Sequence, residues 1–547
     1  MKLTALVVFA IGIGWFLWCR LQTYLHYFQQ EQYNDRRFFN WWYHTRSFDR
    51  RVSLVLVIVS VAVMPLGEYF PRIALFAALG LIFGLFAWRE IDPKKSAKKA
   101  LVLTHRATRI LATAWLIGLV AALWIVVSMP NSPNFFALAI LMLIVLVQLI
   151  PLLLCFANIA LRPIEALIQK KLRLKASAIL REFNPKVIGV TGSFGKTSTK
   201  HFVAHALNST FPTLATPGSV NTVMGITRIV REKLTAEHRY FVVEMGAYGR
   251  GSIQRLCDFT PPQIGVITAV GDAHLERFGS LDNTAIAKFE MAKATHEQNG
   301  SLIINCDGVP HEYIHQHVTD WSKTWVVGET TDQVTAPITQ KFEVSHAEQS
   351  ADGMQFVIEY RGTAYAIKAP LFGGHHRDNL ATAFATAVIA GVPANKIMEA
   401  FESAPQTEHR LYVIKTPNGI TIVDDAYNAN PKGFEEGLKL LPILTGSAGR
   451  RILVTPGMLE LGEHHDYEHA RLGKLASKIC DVVLVIQAGR IPSFIEAISK
   501  NDGRATSLMT YQNFQTAKKW TDQNLLPGDA VLFENDLPDL FESKPKL

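Results

Sequence analysis

Apolar positions follow two different patterns along this chain. Up to residue 161 they run together in long blocks. From residue 186 they fall into short β-branched runs, separated by stretches with helical spacing. Five blocks, 3–18, 52–66, 70–88, 110–129 and 135–159, predict membrane-spanning helices, since a hydrocarbon core of ~30 Å takes ~20 apolar residues. The block 52–66 is short, and a re-entrant or interfacial segment is its alternative reading. The first block is expected to be a retained anchor, because it ends in Trp18-Cys19-Arg20 and not in a small-residue cleavage site. Residues 162–185 predict an amphipathic linker helix that stops at Asn184-Pro185, since a proline disfavours helix in the residue before it. Beyond the linker, runs at 186–191, 241–243, 264–270, 420–425, 451–455, 481–486 and 530–533 predict buried strands alternating with helices, hence mostly parallel α/β sheets.

A net charge of +8 would suit nucleic acid, but the placement of the charge excludes that reading. Basic residues crowd alternate connections: Arg36, Arg37, Arg50 and Arg51 after the first block, Lys94, Lys95, Lys98 and Lys99 after the third, and Lys170, Lys171 and Arg173 after the fifth. Positive charge stays on the cytoplasmic side. Five spans in an inner (plasma) membrane then put the amino terminus outside and everything after residue 161 in the cytoplasm. No block carries a central carboxylate or lysine, which argues against an ion pathway. The segment Phe38-Phe39-Asn40-Trp41-Trp42-Tyr43 reads as an interfacial helix or an aromatic belt. The five cysteines form no CxxC pair, so neither a disulfide framework nor a zinc site is expected.

The run Lys186-Val187-Ile188-Gly189-Val190-Thr191 leads at once into Gly192-Ser193-Phe194-Gly195-Lys196-Thr197-Ser198 and then a helical stretch. Strand, glycine-rich turn, lysine and helix start are what a phosphate loop requires. The glycines Gly192 and Gly195 let backbone N–H groups wrap phosphates, Lys196 adds a point charge, and the Thr197 hydroxyl suits Mg²⁺. Val190 stands where the general loop has a further glycine.

The segment 190–198 resembles the ATP loop of the Mur ligases, which build the peptide of bacterial cell walls, and further segments match in order over residues 186–500. Asp424-Asp425-Ala426-Tyr427-Asn428-Ala429-Asn430-Pro431 is the most specific, and with Gly457-Met458-Leu459-Glu460 it points to the MurF branch. The resemblance implies a central ATP-binding domain over 186–405 and a Rossmann-like C-terminal domain over 406–547, behind an α-helical membrane domain at 1–161. It implies ATP held by Gly192, Ser193, Gly195, Lys196, Thr197, Ser198, Asn379 (facing adenine), Arg410 (on the γ-phosphate) and Asp425. It implies two Mg²⁺ ions, with Thr197, Glu244 and His274 as ligands, and a carbamylated lysine at Lys288. Lys196, Lys288, His274 and Arg410 are the catalytic set it implies. Two positions depart from the pattern: His376 replaces an asparagine and His409 replaces the glycine before Arg410.

The family's first domain, which holds the UDP-sugar, is replaced here by the apolar blocks. This leads to the expectation of a muropeptide-like carboxylate substrate that is lipid-linked. Near the end, Phe533-Glu534-Asn535-Asp536 stands where MurF has a basic motif, so an amine acceptor other than D-alanyl-D-alanine is open. The implied reaction is an amide ligation through an acyl phosphate. Two alternatives are a ligase like poly-γ-glutamate synthase and a membrane ATPase or scaffold without ligase activity. The run 427–431 weighs against the first and the complete residue set against the second.

Overall fold

The computed structural model describes residues 2–66, 72–96, 100–128, 132–271, 278–334, 340–426, 430–459, 461–500 and 507–535. The chain divides into two compact units. One holds the chain up to Lys170, and the other holds the chain from Lys171 onward through the last strand, Ala530–Glu534.

The first unit is helical. Its helices Lys2–Gln30, His105–Ser128 and Ile150–Phe183 contain stretches long and apolar enough to cross a membrane, and shorter apolar helices run over Arg51–Val63, Ala74–Trp88 and Phe135–Gln148. Their outer faces carry apolar residues three or four apart, among them Leu3, Val7, Ile11 and Trp15 on one helix and Leu116, Val120, Trp124 and Val127 on another.

Two expectations change here. The first block does not end at residue 18. Its helix continues to Gln30 and carries Arg20 into the interior, 3% exposed, where the guanidinium pairs with Asp49 at 2.6 Å and with Glu90 at 2.9 Å. A buried cation persists because both carboxylates meet it. The expected span 135–159 is not one helix. It breaks at Leu149, because Pro151 has no N–H to continue the ladder but fits the first turn of a new helix. Ile150–Phe183 then runs unbroken through the expected linker start and past Pro163. At the break, Gln148 is tied to the far end of the bundle sequence: Nε2 donates to the Asp49 carbonyl (2.5 Å) and to Ser53 Oγ (2.7 Å).

In the second unit the strands are β1 (Lys186–Thr191), β2 (Thr213–Ala215), β3 (Tyr240–Glu244), β4 (Ile264–Ile267), β5 (Ser301–Asn305), β6 (Thr324–Gly328), β7 (Lys341–Ser350), β8 (Gly353–Tyr360) and β9 (Thr363–Ala369). They form one sheet in the order β2-β3-β1-β4-β5-β6-β7-β8-β9. The pairs from β2 to β7 are parallel, and β7-β8-β9 closes as an antiparallel meander. β1 is buried beyond its first residue, as its unbroken apolar run demands. One face is covered by the helices Lys196–Asn208 and Gly374–Ile389, the other by Val223–Lys233, Ser252–Phe259 and Leu281–Glu297.

The second sheet comprises β10 (Tyr412–Lys415), β11 (Thr421–Asp425), β12 (Arg451–Thr455), β13 (Val482–Ile486), β14 (Ser507–Tyr511) and β15 (Ala530–Glu534), in the order β10-β11-β15-β12-β13-β14. Only β10 is antiparallel to its neighbour. The carboxyl ends of β11 and β15 therefore lie side by side at the centre of the sheet.

Candidate active site

β1 ends at Thr191 and the next helix starts at Lys196, leaving a tight turn between them. Gly195 caps that helix with φ +78°, and Gly192 has φ +153°. A Cβ on Gly192 would lie 2.1 Å from Thr268 Oγ1, and one on Gly195 would lie 2.3 Å from Asn379 Oδ1. Both positions therefore need glycine for space as well as for conformation. Ser193 Oγ donates to the Gly271 carbonyl at 3.1 Å and pins the turn to the end of β4. The Lys196 ammonium folds back on its own loop, donating to the carbonyls of Gly192 (2.7 Å) and Ser193 (3.0 Å). Burial brings it down to about 8, against the pull of Glu244, with Arg410 adding to the lowering. Such a lysine is poised to exchange two weak carbonyl partners for phosphate oxygens.

Glu244, at the carboxyl end of β3, is 1% exposed. Thr197 Oγ1 donates to its Oε2 at 2.9 Å and Asn221 Nδ2 to its Oε1 at 3.1 Å. Lys200, fully buried, meets the same Oε2 at 3.3 Å and also bonds the Gly218 carbonyl. Lys200 is a site residue that the motif reading passed over. Its signal was present, since a lysine four positions after Lys196 shares that residue's helix face.

Lys288, in the helix Leu281–Glu297, is 3% exposed. Its ammonium has the Phe278 ring 5.8 Å away and no ion-pair partner among the described residues. Burial first, and the charge of Lys196 second, push it well below the usual lysine range. Asn379 stands under the phosphate loop: Thr199 Oγ1 donates to its Oδ1 at 3.0 Å, and its buried Nδ2 has no partner among the described residues. His376, in place of the asparagine, bonds the Phe372 carbonyl through Nδ1 at 2.6 Å, and burial brings it down to about 4. It is neutral at physiological pH.

From the second sheet, Asp425 ends β11 at 8% exposure and accepts the Leu411 N–H at 3.2 Å. Burial raises its carboxyl to about 6, against the nearby Arg410. His409 takes φ +60°, the left-handed conformation that a glycine would favour, and its Nδ1 pairs with Asp424 at 2.8 Å. The turn before Arg410 thus keeps a glycine-like backbone without the glycine. The structure gathers Lys196, Thr197, Glu244, Lys288 and Asn379 around the phosphate loop, with Arg410 in electrostatic reach of Lys196 and Asp425 in reach of Arg410. His274 and Tyr427 lie outside the described residues.

The oxygens of Thr197 and Glu244 fit Mg²⁺, which takes one or two protein oxygens and completes its shell with water and phosphates. No group of three His, Cys, Asp or Glu among the described residues forms a ready cage.

Residues 190–387 match the Mur ligase middle domain, and residues 409–534 match the glutamate ligase domain of Mur ligases. The chain is 33% identical over 310 residues to the UDP-N-acetylmuramoyl-tripeptide--D-alanyl-D-alanine ligase of Mycobacterium tuberculosis, covering 56% of this chain and 59% of that one. It is 28% identical over 376 residues to the Bacillus subtilis enzyme of that name, covering 67% and 78%. The chain thus spans about three-fifths of the length of the first of these relatives. MurF ligase from Thermotoga maritima in complex with ADP superposes with a TM-score of 0.57 at 25% identity, over 67% of this chain and 80% of that one. MurF from Acinetobacter baumannii gives 0.56 at 25% identity, over 67% and 77%.

Proposed function

The chain belongs to the Mur ligase family through its middle and C-terminal domains, and from that premise we propose that it is a membrane-anchored, ATP-dependent carboxylate–amine ligase of the MurF kind, acting in peptidoglycan synthesis. The observation that carries this reading is the single electrostatic neighbourhood of Lys196, Glu244, Lys288 and Arg410 around a phosphate loop.

In the proposed reaction a substrate carboxylate attacks the γ-phosphate of ATP. An O–P bond forms, the bond to ADP breaks, and an acyl phosphate results. An amine then attacks the acyl carbon, a C–N bond forms, and phosphate leaves with the electron pair. Lys196 and Arg410 spread the charge of the transferring phosphoryl group. Thr197, Glu244 and His274 would hold Mg²⁺, which adds positive charge at the phosphates. Lys288, whose charged form burial disfavours, is suited to attack CO₂ as the free amine and become a carbamate, releasing a proton and placing an anion near the metals. Closure of the C-terminal domain would bring Arg410 and Asp425 onto the nucleotide.

The first unit is proposed to sit in the inner membrane and to stand in for a sugar-nucleotide domain, presenting a lipid-linked muropeptide to a cytoplasmic ligase. The outward apolar stripes and the alternating basic connections support this. The test is phosphate release by the detergent-solubilised protein with ATP and Mg²⁺, comparing soluble UDP-muropeptide with lipid-linked muropeptide, each with a panel of amines. Turnover with the lipid-linked substrate alone supports a substrate-presenting membrane unit. Equal turnover with the soluble one reduces that unit to a tether. Lys196→Ala abolishes turnover with either, and full activity in that variant overturns the assignment.

A further inference from the structure

Glu534, the last residue of β15, is 0% exposed, yet neither of its carboxyl oxygens has a hydrogen-bond partner among the described residues. An unpaired buried carboxyl group is costly and needs a reason. Its register partner on β11 is Asp425. Register partners on parallel strands lie roughly 4.8 Å apart and share a face. Two carboxyl groups thus stand together at the carboxyl ends of adjacent strands, where open α/β sheets handle ligands.

Among the described residues, the surroundings leave the pair to itself. Asn535 N–H donates to the Asp425 carbonyl at 3.1 Å, while its side chain donates to the Gly457 carbonyl at 2.6 Å. The covering helix Pro431–Leu444 turns Gly437 toward the pair, where a Cβ would come 3.3 Å from Glu534 Oε2. On that helix Glu436 is engaged by the Gly374 N–H, and Glu435 by Lys439 and Arg471. Asp424 is engaged by His409. Beyond Gly457, His469 accepts the Met458 N–H, and burial brings it down to about 4, so it is neutral. Arg410 is the cation that acts on Asp425.

We propose that Glu534 is a positioning residue of the ligase site, acting through Asp425: the two carboxyl groups share one proton, so that a single negative charge faces Arg410. Two like charges this close in a dry pocket cannot both persist, and the pair titrates as a unit. Burial and the charge of Asp425 push Glu534 well above the usual carboxylate range. Asp425 has the Leu411 N–H and Arg410 to hold its charge, and Glu534 has neither, so the shared proton resides on Glu534. The inference rests on the ligase reading for its role and on the fold alone for the shared proton.

The test uses the full chain in detergent and the variant Glu534→Gln. Thermal unfolding is followed from about pH 5 to about pH 9. The folded wild type retains a proton that the unfolded chain releases above the ordinary glutamate value, so its stability from this group falls as pH rises. Glutamine has no such proton, and the Tm of Glu534→Gln relative to wild type should rise steadily with pH. A pH-independent difference overturns the shared proton. Phosphate release is then compared across the same range. Each profile being normalised to its own value near neutrality, the activity of the variant should hold as pH rises, while that of wild type should fall by about tenfold per pH unit once the second proton leaves. Superimposable profiles overturn the positioning role. If the melts behave as expected but no carboxylate–amine pair supports turnover, the ligase reading fails and the pair stands.

Discussion

Burial, more than motif, sets the chemistry of single residues here. An exposed lysine is protonated and inert toward CO₂, but Lys288 is enclosed and lies beside a second cation, and both favour its neutral amine form. Activity should therefore depend on dissolved CO₂: exhaustive degassing lowers phosphate release, and bicarbonate restores it. Lys288→Ala should lose on the order of 10²–10³ in kcat, the range seen when one preorganised electrostatic group is removed, and should not respond to bicarbonate. Asp425 gives a second residue-scale expectation. Burial holds its carboxyl at about 6, so the anion that would meet the nucleotide is lost as pH falls through that value. A plot of kcat/KM should descend below about pH 6, and Asp425→Asn, always neutral, should be slow and show no such limb. The sequence made the phosphate loop, Glu244 and Asp425 legible because each closes a strand in a recognisable run. It did not reveal Lys200 as a site residue, and it set Glu534 beside the amine acceptor without finding Asp425 as its neighbour, because what distinguishes the two is burial against a partner on a remote strand, Glu244 for one and Asp425 for the other.

At the scale of elements, backbone contact explains what apolar runs could not. The helices Lys2–Gln30 and Arg72–Trp88 meet so closely that a Cβ on Gly12 would lie 1.9 Å from the Gly80 carbonyl oxygen, and one on Gly80 would lie 2.6 Å from that of Val8. Only glycine permits this approach, since a residue without a Cβ lets two helix backbones come together. Gly80→Val should destabilise the first unit by about 1–3 kcal/mol, the usual cost of overpacking. Gly84→Ala on the same helix, with nothing within 4 Å of its Cβ, should leave it unchanged. Thermal unfolding of the two variants in detergent separates them. Hydropathy located these helices but misjudged their ends, and for one reason. A hydropathy window treats Arg20 as a terminus and Pro151 as one more residue in an apolar run. In three dimensions Arg20 is neutralised by Asp49 and Glu90, while Pro151 starts a new helix.

For the whole molecule, the proposed membrane placement of the first unit turns on how many times the chain would cross the bilayer, since an odd and an even count would put the amino terminus on opposite sides of a ligase proposed to be cytoplasmic. Helix Ile150–Phe183 contains a stretch long and apolar enough to cross, which would make six crossings with the other apolar helices. Its contacts favour five. Gln148, just before it, bonds Asp49 at the start of the helix Arg51–Leu66. Two turns on, Asn158 bonds the Tyr33 carbonyl at 3.2 Å, Asp35 at 3.0 Å and Arg106 at 3.1 Å. Those residues lie in or beside the basic connections, so the helix stays at one level of the unit where a crossing helix would leave it. With five crossings Ser132, between His105–Ser128 and Pro133–Gln148, lies on the outer side; with six it lies inside with the ligase. A membrane-impermeant maleimide on intact cells decides between them, using a chain whose five cysteines are replaced and a single one introduced by Ser132→Cys or, as the internal control, Glu237→Cys on the exposed surface of the second unit. Labelling of the first and not the second is the expected result. Protection of both would mean that Ile150–Phe183 crosses after all and that the polar contacts of Asn158 are made inside the bilayer.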